Sequence, residues 1–365
     1  MKALVMYLPQ YYEVKENNEW WGNGYTEWTA VKSASTFSKR HVQPRIPLNN
    51  NYYSLSDPCA KTWKWQAEIA EQYNIYGFVI YHYWFKTGKQ LLERPMEILL
   101  QHKEINTRYC ICWANESWTR TWYGVESETL MLQEYRDKQE WINHFNYLLP
   151  FFKDDRYIKL DGKPLINIYH TFEIDCLKEM LEEWNCLAIN NGFDGLCIVS
   201  GNTGAQIDER EELFDAYYNF EPSYSLIHKA SRLARMKYVS SVFLRTMHNK
   251  VFSKKIVERP IDGKRFISRM EIKDPIRNIP IFPGAFPQWD NTPRRKYKAT
   301  IFYNMDKECF RVQLKHAIRQ YPDSEFVYVN AWNEWGEGAY LEPDETNQYA
   351  FLEVLKDEIK TFSES

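Results

Sequence analysis

Short apolar runs, each bounded by polar or turn-forming residues, recur along the chain, and longer segments with helical spacing lie between them. Eight runs read as strands: ALVMYL from Ala3, GFVIYHY from Gly77, YCICWA from Tyr109, LINIYH from Leu165, GLCIVSG from Gly195, AYYNF from Ala216, IFPGAF from Ile281 and FVYVNAW from Phe326. Their near-continuous apolar character fits parallel strands covered on both faces. Helices are predicted over 57–75, 138–152, 175–191, 306–319 and 345–362. The first opens with a Ser/Asp cap and Pro58 in its first turn, and the third stops at Gly192. Eight β–α alternations predict an α/β fold, a single (β/α)8 barrel. A doubly wound open sheet is the structural alternative.

One stretch breaks the rhythm. Between Lys229 and Glu271 stand twelve Lys/Arg residues, opposed only by Glu258, Asp262 and Glu271. Its first part carries Leu226, Ile227, Leu233, Met236, Val239, Val242, Phe243 and Met247 at loosely helical spacing. Two readings arise: an outer barrel helix with a solvated basic face, or a basic amphipathic helix in peripheral contact with an anionic membrane or a lipid-linked glycan. With no linker or repeat, the chain reads as one domain over 1–365 that includes a basic helical insertion at about 225–275.

Composition adds three points. A chain of 365 residues that is 44% apolar can bury a large core, and a net charge of −3 gives no general argument for nucleic acid. Aromatics reach 16%, with 14 Trp and 26 Tyr. Such residues fill cores, and their ring faces also stack on sugar rings. The seven cysteines mostly lie in apolar runs, such as Cys110, Cys112 and Cys197, and read as reduced packing residues. The start MKALVMYLPQYY lacks a signal peptide's apolar core, and no run of apolar residues reaches membrane-spanning length. The expectation is a cytoplasmic protein.

In a barrel, chemistry collects where strands end. Here the first strand runs into Gln10 and then EWWGNGYTEW, the second into His82 and Trp84, and the third into Trp113, Asn115, Glu116, Trp118, Arg120 and Trp122. The fourth ends at Tyr169-His170 and the seventh precedes Trp289-Asp290. The eighth runs straight into Asn333-Glu334-Trp335-Gly336-Glu337-Gly338. Many polar, acidic and aromatic loops at one end argue for one acidic, aromatic-lined pocket.

Glu334 and Glu337 are the candidate catalytic pair. Two carboxylates in an apolar neighbourhood suit glycosidic chemistry: one is held protonated as acid, the other ionised as base or nucleophile. The alternative is that they pair with a nearby Arg or cap a helix. Strand-end position adds substrate-binding candidates: Tyr7, Gln10, Glu27, His82, Trp84, Trp113, Asn115, Glu116, Trp118 and Asp290, with the flanking Asn333 and Trp335. His82 and His170 lack the spacing of metal ligands. No nucleophile elbow, P-loop or dinucleotide fingerprint appears.

The ordered set YLPQYY, EWWGNGYTEW, YHYWF, LLERP, CWANESWTRTW, DGKPLINIY and NAWNEWGEG resembles the WbsX family, over about residues 1–355. Those bacterial proteins are often encoded with O-antigen or capsule genes and are commonly labelled glycosyltransferases. The family is in turn similar to the family-99 glycoside hydrolases, endo-α-mannosidases and endo-α-mannanases built as (β/α)8 barrels. These carry an N-E-W-H-E-G-type sequence after the last strand. The resemblance implies that Glu334 deprotonates the sugar 2-hydroxyl, giving a 1,2-anhydro sugar, and that Glu337 is the acid/base. It implies net retention, an oligo- or polysaccharide substrate, no cofactor and no metal. The chain departs from the hydrolases at Gly336, where they usually have His.

Three functions follow as expectations: a glycan-cleaving or transglycosylating enzyme; a nucleotide-sugar glycosyltransferase of lipopolysaccharide or capsule synthesis; and a barrel that binds glycan without cleaving it.

Overall fold

The computed structural model describes residues 1–39, 41–119, 129–272, 274 and 277–363. Its centre is a parallel barrel. The strands are β1 (Lys2–Tyr7), β2 (Ile75–Trp84), β3 (Arg108–Trp113), β4 (Lys163–Ile168), β5 (Cys197–Asn202), β6 (Ala216–Asn219), β7 and β8 (Phe326–Val329). β7 is two short pieces, Ile281–Phe282 and Gly284–Ala285, separated by Pro283. Proline has no N–H to give the ladder, which accounts for the break. The first piece pairs with β6 and the second with β8, so the sheet closes through it: β8 pairs β1 with Lys2 opposite Phe326, and β6 meets β7 with Tyr217 opposite Ile281. All eight strands fall on the apolar runs, the barrel is the observed architecture, and the open-sheet alternative does not hold.

The strands are buried on both sides, as their apolar runs require. Inside, Cys110 and Cys112 share one side of β3, with Cys110 Sγ accepting from Asn167 and Cys112 Sγ 3.6 Å from the Tyr218 hydroxyl. The Tyr328 hydroxyl donates to Asn167 Oδ1 at 2.7 Å, and its ring stacks on Tyr218. Outside run α3 (Lys61–Gln72), α4 (Arg94–Gln101), α5 (Lys138–Phe152), α6 (Leu177–Asn190), α11 (Lys307–Gln320) and α12 (Ala350–Ser363); α1 and α2 are short and precede them, as Lys15–Trp21 and Glu27–Lys32 in the long connection after β1.

Several expectations need correction; the helix predicted from residue 345, for one, begins at Ala350. The helix predicted from residue 57 begins at Lys61, with Ala60 in the left-handed region as its cap. Asp57 accepts from the N–H groups of Cys59 and Lys61, so Pro58 lies in a turn before the helix and not in its first turn. The alternation is also incomplete. The connection from β5 to β6 holds only one turn of 3₁₀ helix, Glu211–Leu213.

After β6 the basic segment forms α7 (Ser223–His228), α8 (Arg232–Val251) and α9 (Gly263–Met270). α9 packs through Phe266 and Ile267 on Phe286 and Phe302. α8 does carry exposed basic side chains, Arg232, Arg235, Lys237 and Lys250, but its apolar side chains are not packed beneath them. Asn249 is its one fully buried residue, while Leu233, Met236, Val239, Phe243 and Leu244 are all exposed. No described helix is long and apolar enough to cross a membrane.

Candidate active site

β8 ends at Val329, and the chain folds into a tight hairpin at the barrel's C-terminal face. Asn333–Glu334 pairs antiparallel with Ala339–Tyr340 across one turn of 3₁₀ helix, Trp335–Glu337. Gly338 closes the turn at φ +61°, the left-handed region that glycine enters without a Cβ penalty. The Asn333 side chain ties the hairpin to the end of β1: it accepts from Leu8 N at 2.7 Å and donates to Leu8 O at 3.0 Å. Trp335 stacks on Tyr340 and donates to Glu342 Oε2 at 2.7 Å. The short turn leaves Glu334 and Glu337 projecting into one cavity of about 280 Å³.

Both carboxylates rest on one guanidinium. Arg294 lies on α10 (Thr292–Arg295), just after β7. Its Nη2 is 2.9 Å from Glu334 Oε2, its Nη1 is 3.0 Å from Glu337 Oε1, and its Nε donates to Glu27 Oε1 at 2.8 Å. Glu27 comes from α2 and is fully buried. Three carboxylates, Glu27 and Glu334 buried and Glu337 partly so, therefore surround one cation. Burial raises the pKa of both Glu334 and Glu337. Arg294 opposes that rise, and the charge of Glu27 adds to it at both. The Glu334–Glu337 pair keeps a proton to higher pH than ordinary glutamates do. Within it, Glu337 is the more open, with side-chain exposure of 17% against 7% for Glu334.

The cavity wall is aromatic. Tyr81, Tyr83, Trp118, Tyr169, Phe220 and Trp289 line it, together with Gln10, Glu116 and Arg295. Burial raises the pKa of Glu116, partly offset by His170, whose Nδ1 lies 3.2 Å away. Of the residues singled out in the sequence, Glu334, Glu337, Gln10, Glu116 and Trp118 meet at this cavity. Arg120 and Trp122 lie outside the described residues.

The other candidates do not line the cavity, and for β2 and β3 the reason is strand parity. Successive side chains alternate between faces. Tyr81 and Tyr83 point inward, so His82 and Trp84 point out under α5. There His82 Nε2 sits 2.9 Å from His144 Nε2, and Trp84 stacks on the His144 ring at 4.6 Å. Burial depresses the His82 pKa to about 3, which keeps it neutral. Trp113 lies edge-on to the same histidine and donates to Trp84 O. Tyr7 also faces out, stacked on Trp63 and donating to Gln66.

The remaining ones are scaffolding. Asn115 holds His170 by its backbone, accepting from its N–H and donating to its C=O. Asp290 accepts from Gln43 and Thr292 and lies 2.8 Å from His41 Nε2, while its backbone N–H donates to Glu337 O at 2.7 Å. Glu27, Asn333 and Trp335 support the pair from behind. Sequence reasoning missed Arg294, Tyr81 and Tyr83. The tyrosines were available from parity alone, since Gly77 to Trp84 is one unbroken strand. Arg294 had only its nearness to the end of β7.

The site is thus a carboxylate pair in an aromatic cavity, at the C-terminal face of a parallel barrel. The chain belongs to the family described as "Glycosyltransferase WbsX", whose model matches residues 3–355. Two Xanthomonas campestris pv. campestris proteins, each called "Uncharacterized protein WxcX", are 30% and 31% identical over 97% of this chain. The chain spans about half their length, 49%. Among solved structures, a GH99 endo-alpha-mannosidase from Bacteroides thetaiotaomicron is similar in fold, with a TM-score of 0.57 at 13% identity, covering 99% of this chain and 97% of that one. A "Glycoside hydrolase-like protein" reaches 0.60 at 12% identity, covering 98% and 93%.

Gly336 has a physical explanation. A Cβ there would lie 1.6 Å from Glu27 Oε1 and 2.7 Å from Arg294 Nε. The space a larger residue needs is filled by the buried Glu27–Arg294 pair. Gly336→Ala is expected to cost about 1–3 kcal/mol of stability, the usual penalty for overpacking. In a Glu27→Ala background the same change should cost clearly less, which a double-mutant cycle of denaturant melts measures. Equal costs in both backgrounds would refute this account.

Proposed function

We propose that this protein cleaves glycosidic bonds within a bacterial surface polysaccharide or related glycan, with retention, using Glu334 and Glu337. The observation that carries this reading is the pair itself: two glutamates three residues apart, held on one guanidinium at the floor of an aromatic cavity. Tyr81, Tyr83 and Trp118 supply ring faces and edges for a sugar.

In the proposed sequence the Glu334 carboxylate takes the proton of the sugar 2-hydroxyl. That oxygen attacks the anomeric carbon as the bond to the leaving oxygen breaks, and Glu337 gives its proton to the leaving oxygen. A 1,2-anhydro sugar results. Glu337, now ionised, takes a proton from water; the water oxygen opens the ring at the anomeric carbon, and the 2-oxygen recovers its proton from Glu334. Two inversions give retention. The greater openness of Glu337 suits the member that meets both leaving group and water. Arg294 spreads its charge over both carboxylates and limits how far either pKa rises.

The test is incubation with a panel of bacterial surface polysaccharides and α-linked manno-oligosaccharides, with no sugar nucleotide added. New reducing ends, first formed with the substrate's anomeric configuration, are expected. The family description favours a second reading, transfer from a nucleotide sugar. Thermal stabilisation by a sugar nucleotide with Mg²⁺, together with no reducing ends from any glycan, would put that reading in place of the first. Binding of glycan with neither outcome would mark a non-catalytic barrel.

A further inference from the structure

α8 is amphipathic in the reverse of the usual sense. Two of its polar side chains tie it to the body of the protein: Asn249 donates to Ile256 O and accepts from Ile256 N, and Arg245 donates to Val257 O. Its apolar side chains face out. Met236 is 67% exposed, Phe243 63% and Met247 42%, with Leu233, Val239, Leu244 and Val251 beside them. At 3.6 residues per turn these seven occupy an arc of about 140° over the helix. An arc that wide on a surface helix normally packs on a core.

The charges around the arc indicate what covers it. α8 contains no Asp or Glu. Arg232 and Lys250 stand at the two ends of the helix, near one edge of the apolar arc, and Lys237 lies just beyond its other edge, all exposed; Lys254 follows. Long cationic side chains can lie along an apolar surface while their charged ends reach a polar layer. A protein partner would need acidic residues around an apolar groove. A bilayer surface with anionic headgroups offers both layers at the required depths. We propose that α8 docks in the plane of an anionic phospholipid surface, with Met236, Phe243 and Met247 among the acyl chains and Arg232, Lys237 and Lys250 at the phosphates.

The helix also adjoins the cavity. Tyr238 of α8 lies beside the Thr300 side chain, and the Thr300 N–H donates to Asn291 Oδ1, a cavity-lining residue. Docking through α8 would therefore bring the bilayer to a face that neighbours the cavity wall. The inference does not depend on which reaction the cavity performs.

Sedimentation of the full chain with vesicles decides it. At low salt the protein is expected to co-sediment with phosphatidylcholine vesicles containing phosphatidylglycerol and to stay in solution with phosphatidylcholine alone. Rising salt should release it. The triple variant Met236→Ser, Phe243→Ser, Met247→Ser should bind at least about tenfold more weakly, since it loses most of the buried apolar area. Lys237→Gln and Lys250→Gln should each weaken binding by about fivefold. These positions are exposed, so the circular dichroism spectrum and melting temperature should not change. Failure of the wild type to bind anionic vesicles, or equal binding by the triple variant, would overturn the proposal. So would a wild-type dimer that the triple variant converts to monomer, which would make the face a contact between two copies.

Discussion

Glu337→Gln should lower turnover on a natural glycan by about 10³-fold or more, within the range general acid–base groups contribute. Gln keeps the side chain's shape, and Arg294 retains Glu27 and Glu334 as partners, so the variant should melt cooperatively. Glu334→Gln should be as inactive on the same substrate. The two separate on an activated aryl glycoside, whose leaving group needs no proton. There the first release of aryl alcohol should survive in Glu337→Gln and be lost in Glu334→Gln, because in the proposed mechanism only Glu334 acts on the 2-hydroxyl in that step. Turnover near the wild-type rate in either variant would remove the pair from the mechanism. Release lost equally in both would reject the division of roles.

Arg294→Met should be the most destabilising single change at the site. It leaves Glu27, Glu334 and Glu337 buried together without their shared cation. Removing one partner of a buried ion pair costs about 3–5 kcal/mol. The cost should depend on pH, with a defined sign. Without Arg294 the folded pKa values of Glu334 and Glu337 rise further above their unfolded value, since the guanidinium was the main group lowering them. A group with a raised folded pKa gives its full stability below the unfolded pKa and loses it as pH climbs through the folded one. The gap in melting temperature between wild type and Arg294→Met should therefore be small at pH near 4 and widen through neutrality. A gap independent of pH would mean that Arg294 acts by packing alone.

Much of the fold was legible because buried parallel strands leave a plain signal. Runs such as FVIYHYW and YCICW are apolar on both faces, and only a strand covered on both sides wants that. The weak seventh strand, IFPGAF, was still readable although Pro283 splits it. The fifth connection was less so, since the alternation predicted a helix where one 3₁₀ turn suffices. The catalytic candidates were legible for a related reason. Polar residues placed directly after a buried strand cannot join the core, so Glu334 and Glu337 had to emerge at the strand end. The binding candidates were read less well because position at a strand end does not specify a face. His82, Trp84 and Trp113 lie on the outer side, and counting by twos from Tyr81 separates them from Tyr83.

The amino-acid sequence by itself determined the barrel, its eight strands and the two glutamates, because each depends on local pattern: apolar runs, the turns that end them and the residues that follow. Tertiary structure alone decided the rest. Arg294, Glu27 and the Glu334–Glu337 pair come from three separate segments of the chain, and nothing local says that one guanidinium will serve three carboxylates. Gly336 is glycine because Glu27, 309 positions earlier in the chain, occupies the space beside it. The apolar face of α8 points outward because hydrogen bonds from Arg245 and Asn249 to the segment at Ile256 and Val257 fix the helix's rotation. Helical periodicity identifies a face; only the contacts made by the opposite face say which way it turns.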